Sequence, residues 1–327
     1  MKVLVTGATG FLGAHVVREL LHRGYSVMAA CRASSDTWRL DAVMESIELV
    51  ELDLVDTGSV GRVFSRHRPE AVVHCAAYGV SYGESDVDRA VAVNIKGTYE
   101  LVRAASSSGV SRFIHTGSCF EYGDKDHPVG EGDVPAPTGI YGATKVSATL
   151  MALAEAAGSG LELVVVRPFG MWGLLEDVRR LVPQVVRACI CNTPLALTGC
   201  EQVRDYSHVS DIAGMMVSIL GCEDFPSGRI LNLGSGRKTV LREFVLKVVR
   251  TLGADERLMR FGELPYRPDE MRMLVADTTR LGKYIDIGGE SDDLFKQRLS
   301  ELSQELKDRG FQNMRRGRIS RSALRSC

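Results

Sequence analysis

A doubly wound α/β fold, with one parallel sheet covered by helices on both faces, is what this chain predicts. Short β-branched runs alternate with stretches whose apolar residues recur at helical spacing. The runs are apolar at nearly every position rather than at alternate ones, and the first of them leads into a glycine-rich turn. Strands buried on both faces read as continuous apolar runs, and strand–helix alternation is the mark of parallel pairing. The alternation weakens after about Gly170, which predicts a smaller, discontinuous C-terminal lobe.

Residues 2–6 read as the first strand, and 11–23 as a helix with Leu12, Val16, Leu20 and Leu21 at helical spacing and Gly24 as its stop. Strands follow at 25–31, 47–52 and 71–75, then one long helix over 86–108 ended by Gly109, then strands at 112–116 and 161–166. A helix at 210–221 and a strand at 229–233 return to the sheet. A last helix over 291–309 is capped by Ser291, carries Asp292 and Asp293 at its positive end, and lines up Phe295, Leu299, Leu302 and Leu306 as one stripe. The basic residues from Arg315 to Arg325 read as a solvated tail.

Composition excludes several classes. Forty basic residues face forty-one acidic ones among 327, and the formal charge of −1 gives no global reason to bind nucleic acid or an anionic membrane. No apolar run approaches the ~20 residues of a membrane span. The opening Met1-Lys2-Val3-Leu4-Val5-Thr6-Gly7 reads as fold rather than signal peptide, and the eight cysteines, without any C-x-x-C, read as buried reduced thiols; a cytoplasmic protein is the expectation. No metal is expected: Cys189 and Cys191 have no second Cys/His pair nearby to close a tetrahedral zinc site.

The turn Gly7-Ala8-Thr9-Gly10-Phe11-Leu12-Gly13 lies between the first strand and first helix. Gly7 permits the tight turn, Gly10 lets backbone approach a pyrophosphate, and Gly13 lets helix and strand pack closely, while free N–H groups at the helix start bind the anion. This is the dinucleotide turn of a Rossmann sheet. An acidic residue at the end of the second strand would grip an adenine-ribose diol; here Cys31 stands there, followed by Arg32. A guanidinium suits a 2′-phosphate, and Ser34 and Ser35 add hydroxyls, so NADP is expected in preference to NAD. Asp53 and Leu54, after the third strand, are placed for the adenine edge.

Tyr141 and Lys145 lie four apart, on one helix face, and Ser118 follows the fifth strand. An ammonium near a phenol lowers its pKa, and such a tyrosine exchanges a proton with an alcohol oxygen that a serine hydroxyl orients.

With these pieces, His74-Cys75-Ala76-Ala77, Asn94-Ile95-Lys96-Gly97-Thr98, the Ser118…Tyr122-Gly123 run, Arg167-Pro168 and the run Arg204 to Asp211, most of residues 1–280 resembles the extended short-chain dehydrogenase/reductase family in its sugar-nucleotide branch. The resemblance implies that Tyr141 is the acid/base, that Lys145 tunes it and holds the nicotinamide ribose, and that Ser118 orients the substrate oxygen. It implies a cofactor site of Gly7, Gly10, Phe11, Leu12, Gly13, Arg32, Ser34, Ser35, Asp53, Leu54, Ala76, Ala77, Asn94, Tyr141, Lys145 and Pro168. It implies that Arg204 and Arg267 grip a nucleotide-sugar diphosphate near Cys119 and Phe120. It implies a homodimer through a four-helix bundle of the 86–108 and Tyr141 helices. The domains expected are 1–170 for the dinucleotide, with 205–235 returning to it, 171–204 and 236–290 for the sugar nucleotide, and 291–327 as helix and tail.

Three departures narrow the activity. Sugar-nucleotide 4,6-dehydratases carry an Asp-Glu pair where this chain has Cys119 and Phe120, so that elimination lacks its acid and base. Relatives that epimerise C3 and C5 carry a cysteine where Phe120 stands, and Gly170 replaces an asparagine that contacts the diphosphate in many relatives. The run from Cys31 to Arg39 resembles that of synthases of CDP-linked deoxysugars. The expectation is NADP-dependent reduction of the C4 keto group of a nucleotide-linked hexose. A 4-epimerase that retains its dinucleotide is the alternative, and a dinucleotide-sensing regulator without chemistry is a distant one. Reductases of neutral phenolic substrates have no use for two diphosphate-binding arginines.

Overall fold

The sheet is built from seven parallel strands, and its strand order creates the crevice in which the site sits. In this computed structural model residues 1–80, 84–222, 227–267 and 270–315 are described, and the tail beyond Arg315 lies outside them. The strands are β1 (Lys2–Thr6), β2 (Ser26–Cys31), β3 (Glu48–Glu51), β4 (Ala71–His74), β5 (Arg112–Thr116), β6 (Glu162–Pro168) and, after four short strands, β11 (Arg229–Leu233). Their order is β11-β6-β5-β4-β1-β2-β3, so the chain winds one way from β1 to β3 and the other way from β4 onward. The reversal falls between β1 and β4, and ligands bind at such switch points, beyond the carboxyl ends of the strands.

Alternate side chains serve opposite faces, as the pleat requires. Val3 and Val5 of β1 pack with α1 (Phe11–His22) and α7 (Val209–Gly221) through Val16, Leu20, Ile212 and Met216. Leu4 packs on the other face with Leu101 of α4 (Thr98–Ser107) and Ala152 of α5 (Ile140–Ala156), beside Val60 of α2 (Thr57–His67). Asp56 caps α2 by accepting the Gly58 N–H at 3.0 Å. Gly24 and Gly109 stop α1 and α4 with φ of 79° and 74°, a left-handed turn that glycine adopts without strain.

The helix expected over 86–108 is not regular. It opens as α3 (Val87–Ala90), widens into a π segment over Val91–Gly97, and resumes as α4. The Asn94 side chain in the middle of the wide turns accepts the Tyr78 N–H at 2.8 Å and donates to the Tyr78 carbonyl at 2.8 Å and the Thr144 hydroxyl at 2.9 Å. Those partners come from distant segments, so periodicity could not announce the widening.

The second lobe gathers α6 (Leu181–Cys191), α8 (Leu241–Thr251) and α9 (Asp292–Arg315) around Trp172, Val186, Phe244, Val248, Phe295 and Leu299. Its strands are short: β7 (Gly170–Trp172) pairs β10 (Tyr206–His208), β9 (Val203–Arg204) lies between β12 (Thr239–Val240) and β14 (Met273–Leu274), and β8 (Leu195–Leu197) pairs β13 (Met259–Phe261). Ser291 caps α9, its hydroxyl accepting the Leu294 N–H at 3.2 Å, and the stripe of Phe295, Leu299, Leu302 and Leu306 is buried. The cysteines differ from the expectation of buried reduced thiols: Cys119 and Cys200 are free and buried, Cys31, Cys75, Cys189 and Cys222 are free but half-buried, because they sit at strand and helix ends, and Cys191 is disulfide-bonded. Among the described residues no helix is long and apolar enough to cross a membrane.

Candidate active site

The glycine turn crosses the switch point. Gly7 has φ of 66°, and a Cβ there would lie 2.6 Å from the Ala76 nitrogen, so β1 and the segment after β4 approach more closely than a side chain allows. A Cβ on Gly13 would lie 2.1 Å from the Gly7 carbonyl oxygen. Gly10 is the N-cap of α1, without a side-chain cap, and the first helical turn carries no acid. Its N–H groups therefore keep their capacity for an anion, and this backbone cradle fits a dinucleotide pyrophosphate. The Arg39 guanidinium, which the sequence reading missed, donates to the Thr9 carbonyl at 3.3 Å and brings positive charge beside the turn.

At the end of β2 the chain forms a small turn. The Arg32 N–H donates to the Ser35 hydroxyl at 3.1 Å and the Ser35 N–H to the Arg32 carbonyl at 2.9 Å. The Arg32 side chain is exposed and, among the described residues, has neither ion pair nor hydrogen bond; Ser34 is exposed beside it. Asp53 is half-buried, with one carboxylate oxygen accepting the Val55 N–H at 3.0 Å, and Leu54 is buried. Ala76, Ala77 and Pro168 lie at the ends of β4 and β6, on the same edge of the sheet. Asn94 is fully buried with both ends of its amide engaged by Tyr78 and Thr144, so it ties this edge together.

The three candidate catalytic side chains meet beyond β5. Ser118 is buried, and its hydroxyl is a hydrogen-bond neighbour of the Tyr141 phenol. Tyr141 lies in the first turn of α5, its ring set edge-on to Phe120 at 6.0 Å between centroids, with Gly79 also packed against it. Lys145, one turn on, is 2% exposed and makes no hydrogen bond among the described residues, which leaves a buried amine with capacity for a ligand hydroxyl. Burial lowers its pKa to about 8, against the opposing pull of Glu121. The phenol corrects one expectation. Loss of water around Tyr141 raises its pKa well above the ordinary value, and the Ser118 hydrogen bond opposes this. Tyr141 is therefore a neutral phenol at pH 7, a proton donor as it stands.

Several groups here went unread in the sequence. Glu121 is fully buried, pairs with Arg167 at 2.6 Å, and accepts the Ser118 N–H at 2.8 Å. The signal was present: Ser118-Cys119-Phe120-Glu121 is a capping box at the start of a short 3₁₀ turn. Arg180, just before α6, lies close enough to oppose the rise of the Tyr141 pKa and donates to the Val80 carbonyl at 2.6 Å. Cys119 is buried, and burial pushes its thiol up to about 12; Phe120 is 46% exposed. Arg204 is half-buried and tied to Glu270 at 2.6 Å and the Met271 carbonyl at 2.7 Å, whereas Arg267 is exposed. The structure thus brings Arg204 near Cys119 with its charge already partnered, and Arg267 is exposed to solvent.

The family model described as the NAD dependent epimerase/dehydratase family matches residues 3–234. The dTDP-glucose 4,6-dehydratase 1 of Escherichia coli (strain K12) is 27% identical over 324 residues, covering 87% of each chain. The UDP-glucose 4-epimerase of Azospirillum brasilense is 27% identical over 305 residues, covering 87% of this chain and 86% of its own. Among solved structures, the UDP-glucose 4-epimerase of Thermotoga maritima with UDP-glucose is 26% identical and superposes with a TM-score of 0.82 over 94% of this chain and 99% of its own. The dTDP-glucose 4,6-dehydratase DesIV of Streptomyces venezuelae, with NAD and TYD bound, is 26% identical, with a TM-score of 0.81 over 95% and 98%. The switch-point glycines, the buried lysine and this match across most of the sheet lead to one conclusion: the chain belongs to the NAD dependent epimerase/dehydratase family, as an extended short-chain dehydrogenase/reductase type of enzyme.

Proposed function

We propose that this enzyme reduces the C4 keto group of a nucleotide-linked (deoxy)hexose with NADPH. The observation that carries the reading is the Tyr141 phenol in the first turn of α5, beside the buried Ser118 hydroxyl and one turn from the buried Lys145 amine. A phenol kept protonated is ready to give its proton to the oxygen of a carbonyl under reduction. Ser118 orients that oxygen, and Lys145 holds the nicotinamide ribose. The bound dinucleotide supplies the hydride. The unpartnered Arg32 supports a 2′-phosphate at the other end of the cleft, although the solved relatives named above include one with NAD. Cys119 and Phe120 offer no acid or base for dehydration, and in this reading Arg204 and Arg267 grip the diphosphate of a sugar nucleotide bound by a lobe of residues 171–204 and 236–290. A second reading, 4-epimerisation with retained cofactor, is favoured by the 4-epimerases among the relatives.

The test incubates the purified enzyme with a nucleotide-linked 4-keto-6-deoxyhexose and NADPH and follows the nicotinamide absorbance. Stoichiometric loss of NADPH, reduced on the order of 10²- to 10⁴-fold by Tyr141→Phe, is expected. Interconversion of 4-epimers without consumption of NADPH selects the second reading. Copies pair, in this proposal, through a four-helix bundle of the 86–108 helical stretch and α5, on which Val87, Val91, Leu150 and Met151 are exposed. Sedimentation at micromolar concentration should show a dimer that Leu150→Glu with Met151→Glu converts to monomer.

A further inference from the structure

We propose that Glu121 is a positioning residue for the Ser118, Tyr141 and Lys145 set, holding the Ser118 turn in place and bringing a negative charge to the Lys145 amine. This rests on the reading of Tyr141 and Lys145 given above.

Both carboxylate oxygens of Glu121 are committed. One accepts the Ser118 N–H at 2.8 Å and the Thr149 hydroxyl of α5 at 3.2 Å; the other accepts the Arg167 Nε at 2.9 Å and pairs with its Nη2 at 2.6 Å. Glu121 thereby joins the turn after β5, the helix that carries Tyr141 and Lys145, and β6. The chain before it is shaped around the carboxylate, since a Cβ on Gly117 would lie 2.4 Å from the nearer oxygen. Arg167 in turn lies over the Tyr122 ring at 4.4 Å, and the Tyr122 hydroxyl donates to Asn232 at 2.7 Å, so the network is anchored on the edge strand β11 beside β6.

The charge balance around Lys145 singles out the same residue. From β4 and the chain just beyond it come His74 and Cys75 and from β5 His115, while Arg167 of β6 stands behind Glu121 as its ion-pair partner and Tyr141 lies one turn earlier on the same helix. Burial lowers His74 to about 3 and holds His115 well below its ordinary value, so both are neutral. Burial raises the Cys75 thiol to about 11 and raises Tyr141 as well, so neither is an anion near pH 7. Arg167 is a cation. Among these described groups Glu121 alone is negative, and it is the foremost group opposing the desolvation of Lys145. An opposite charge at close range holds a buried amine protonated by on the order of one to three units.

The experiment reads the amine directly. Protein carrying [ε-¹³C]lysine is titrated by NMR, the Lys145 resonance being assigned by its loss in Lys145→Met. Glu121→Gln keeps an acceptor for the Ser118 N–H but leaves Arg167 buried without its partner; Glu121→Gln with Arg167→Met removes both charges and protects the fold. The Lys145 midpoint should fall on the order of one unit in Glu121→Gln and by less in the double variant. Glu121→Asp, which keeps the charge, should hold it near the native value. The alkaline limb of NADPH affinity should shift by the same amounts, which a merely structural residue would not produce. No fall of the Lys145 midpoint in any charge-removing variant that folds overturns the proposal. The functional reading is judged separately, by turnover of Tyr141→Phe, so the failure of one leaves the other standing.

Discussion

Two turns at the carboxyl edge of the same sheet are built in opposite ways. The turn after β2 is exposed, held by two short contacts between Arg32 and Ser35, and presents a guanidinium without a partner among the described residues. The turn after β5 is buried, and its Ser118 is fixed through Glu121 to a second arginine, Arg167, which is 2% exposed. An arginine free in water retains its capacity for a ligand and contributes little to stability. An arginine paired in the interior is committed to the fold, and its loss strands the partner. Under the proposed function, cofactor choice therefore resides where substitution is cheap, and proton transfer resides where the framework is rigid.

The largest effect expected breaks the buried turn. Arg167→Met leaves the Glu121 carboxylate inside the protein without its cation, a change that costs about 3–5 kcal/mol. Arg32→Met, on the exposed turn, should alter stability by no more than about 0.5 kcal/mol. Urea unfolding of both variants checks the contrast, and equal midpoints would erase it. The second effect concerns the glycine turn that lies between the two. Gly13→Ala drives a Cβ into the Gly7 carbonyl oxygen, a backbone atom that cannot step aside. Overpacking of that kind costs on the order of 1–3 kcal/mol, and it should also abolish measurable NADPH binding in a fluorescence titration. Gly10→Ala, with 3.1 Å to the same oxygen, should be the milder of the two.

What could be read ahead of the structure follows from how local each feature is. The glycine turn was legible because backbone geometry admits no other residue at Gly7 and Gly13. Tyr141 and Lys145 were legible because four residues make one helical turn. The direction of the Tyr141 shift was misjudged, because helical spacing says which side chains are neighbours but not how much water they lose. Glu121 escaped notice because its cation lies 46 residues away, on another strand, and the capping box that marks it spans four residues. Arg204 was matched to a diphosphate role, yet its partner Glu270 lies 66 residues on. The paired strands of the second lobe are two or three residues long, too short for a period to show, which is why only its late helix was delimited there.

The substitutions that disturb the fold least are also the sharpest test of the exposed turn. Burial, with the nearby Glu51 carboxylate second, raises the pKa of Cys31, so the thiol at the end of β2 is neutral and neither repels a 2′-phosphate nor accepts two ribose hydroxyls. Replacing it by aspartate and removing the neighbouring cation, Cys31→Asp with Arg32→Ala, reverses both properties at once. A hydrogen bond between charged partners is worth roughly 1.5–3 kcal/mol, which corresponds to a ten- to hundredfold change in the ratio of NADPH to NADH affinities. Because Arg32 is exposed, its attraction for the phosphate is screened by salt, so the native preference for NADPH should shrink between low and high ionic strength. In the double variant that salt dependence should vanish along with the preference. A ratio unchanged by the substitutions, with its salt dependence intact, would place discrimination on a cation that remains, and Arg39, which already reaches the Thr9 carbonyl of the glycine turn, is the one positioned to hold it. The two turns would then differ in burial but not in the division of labour assigned to them.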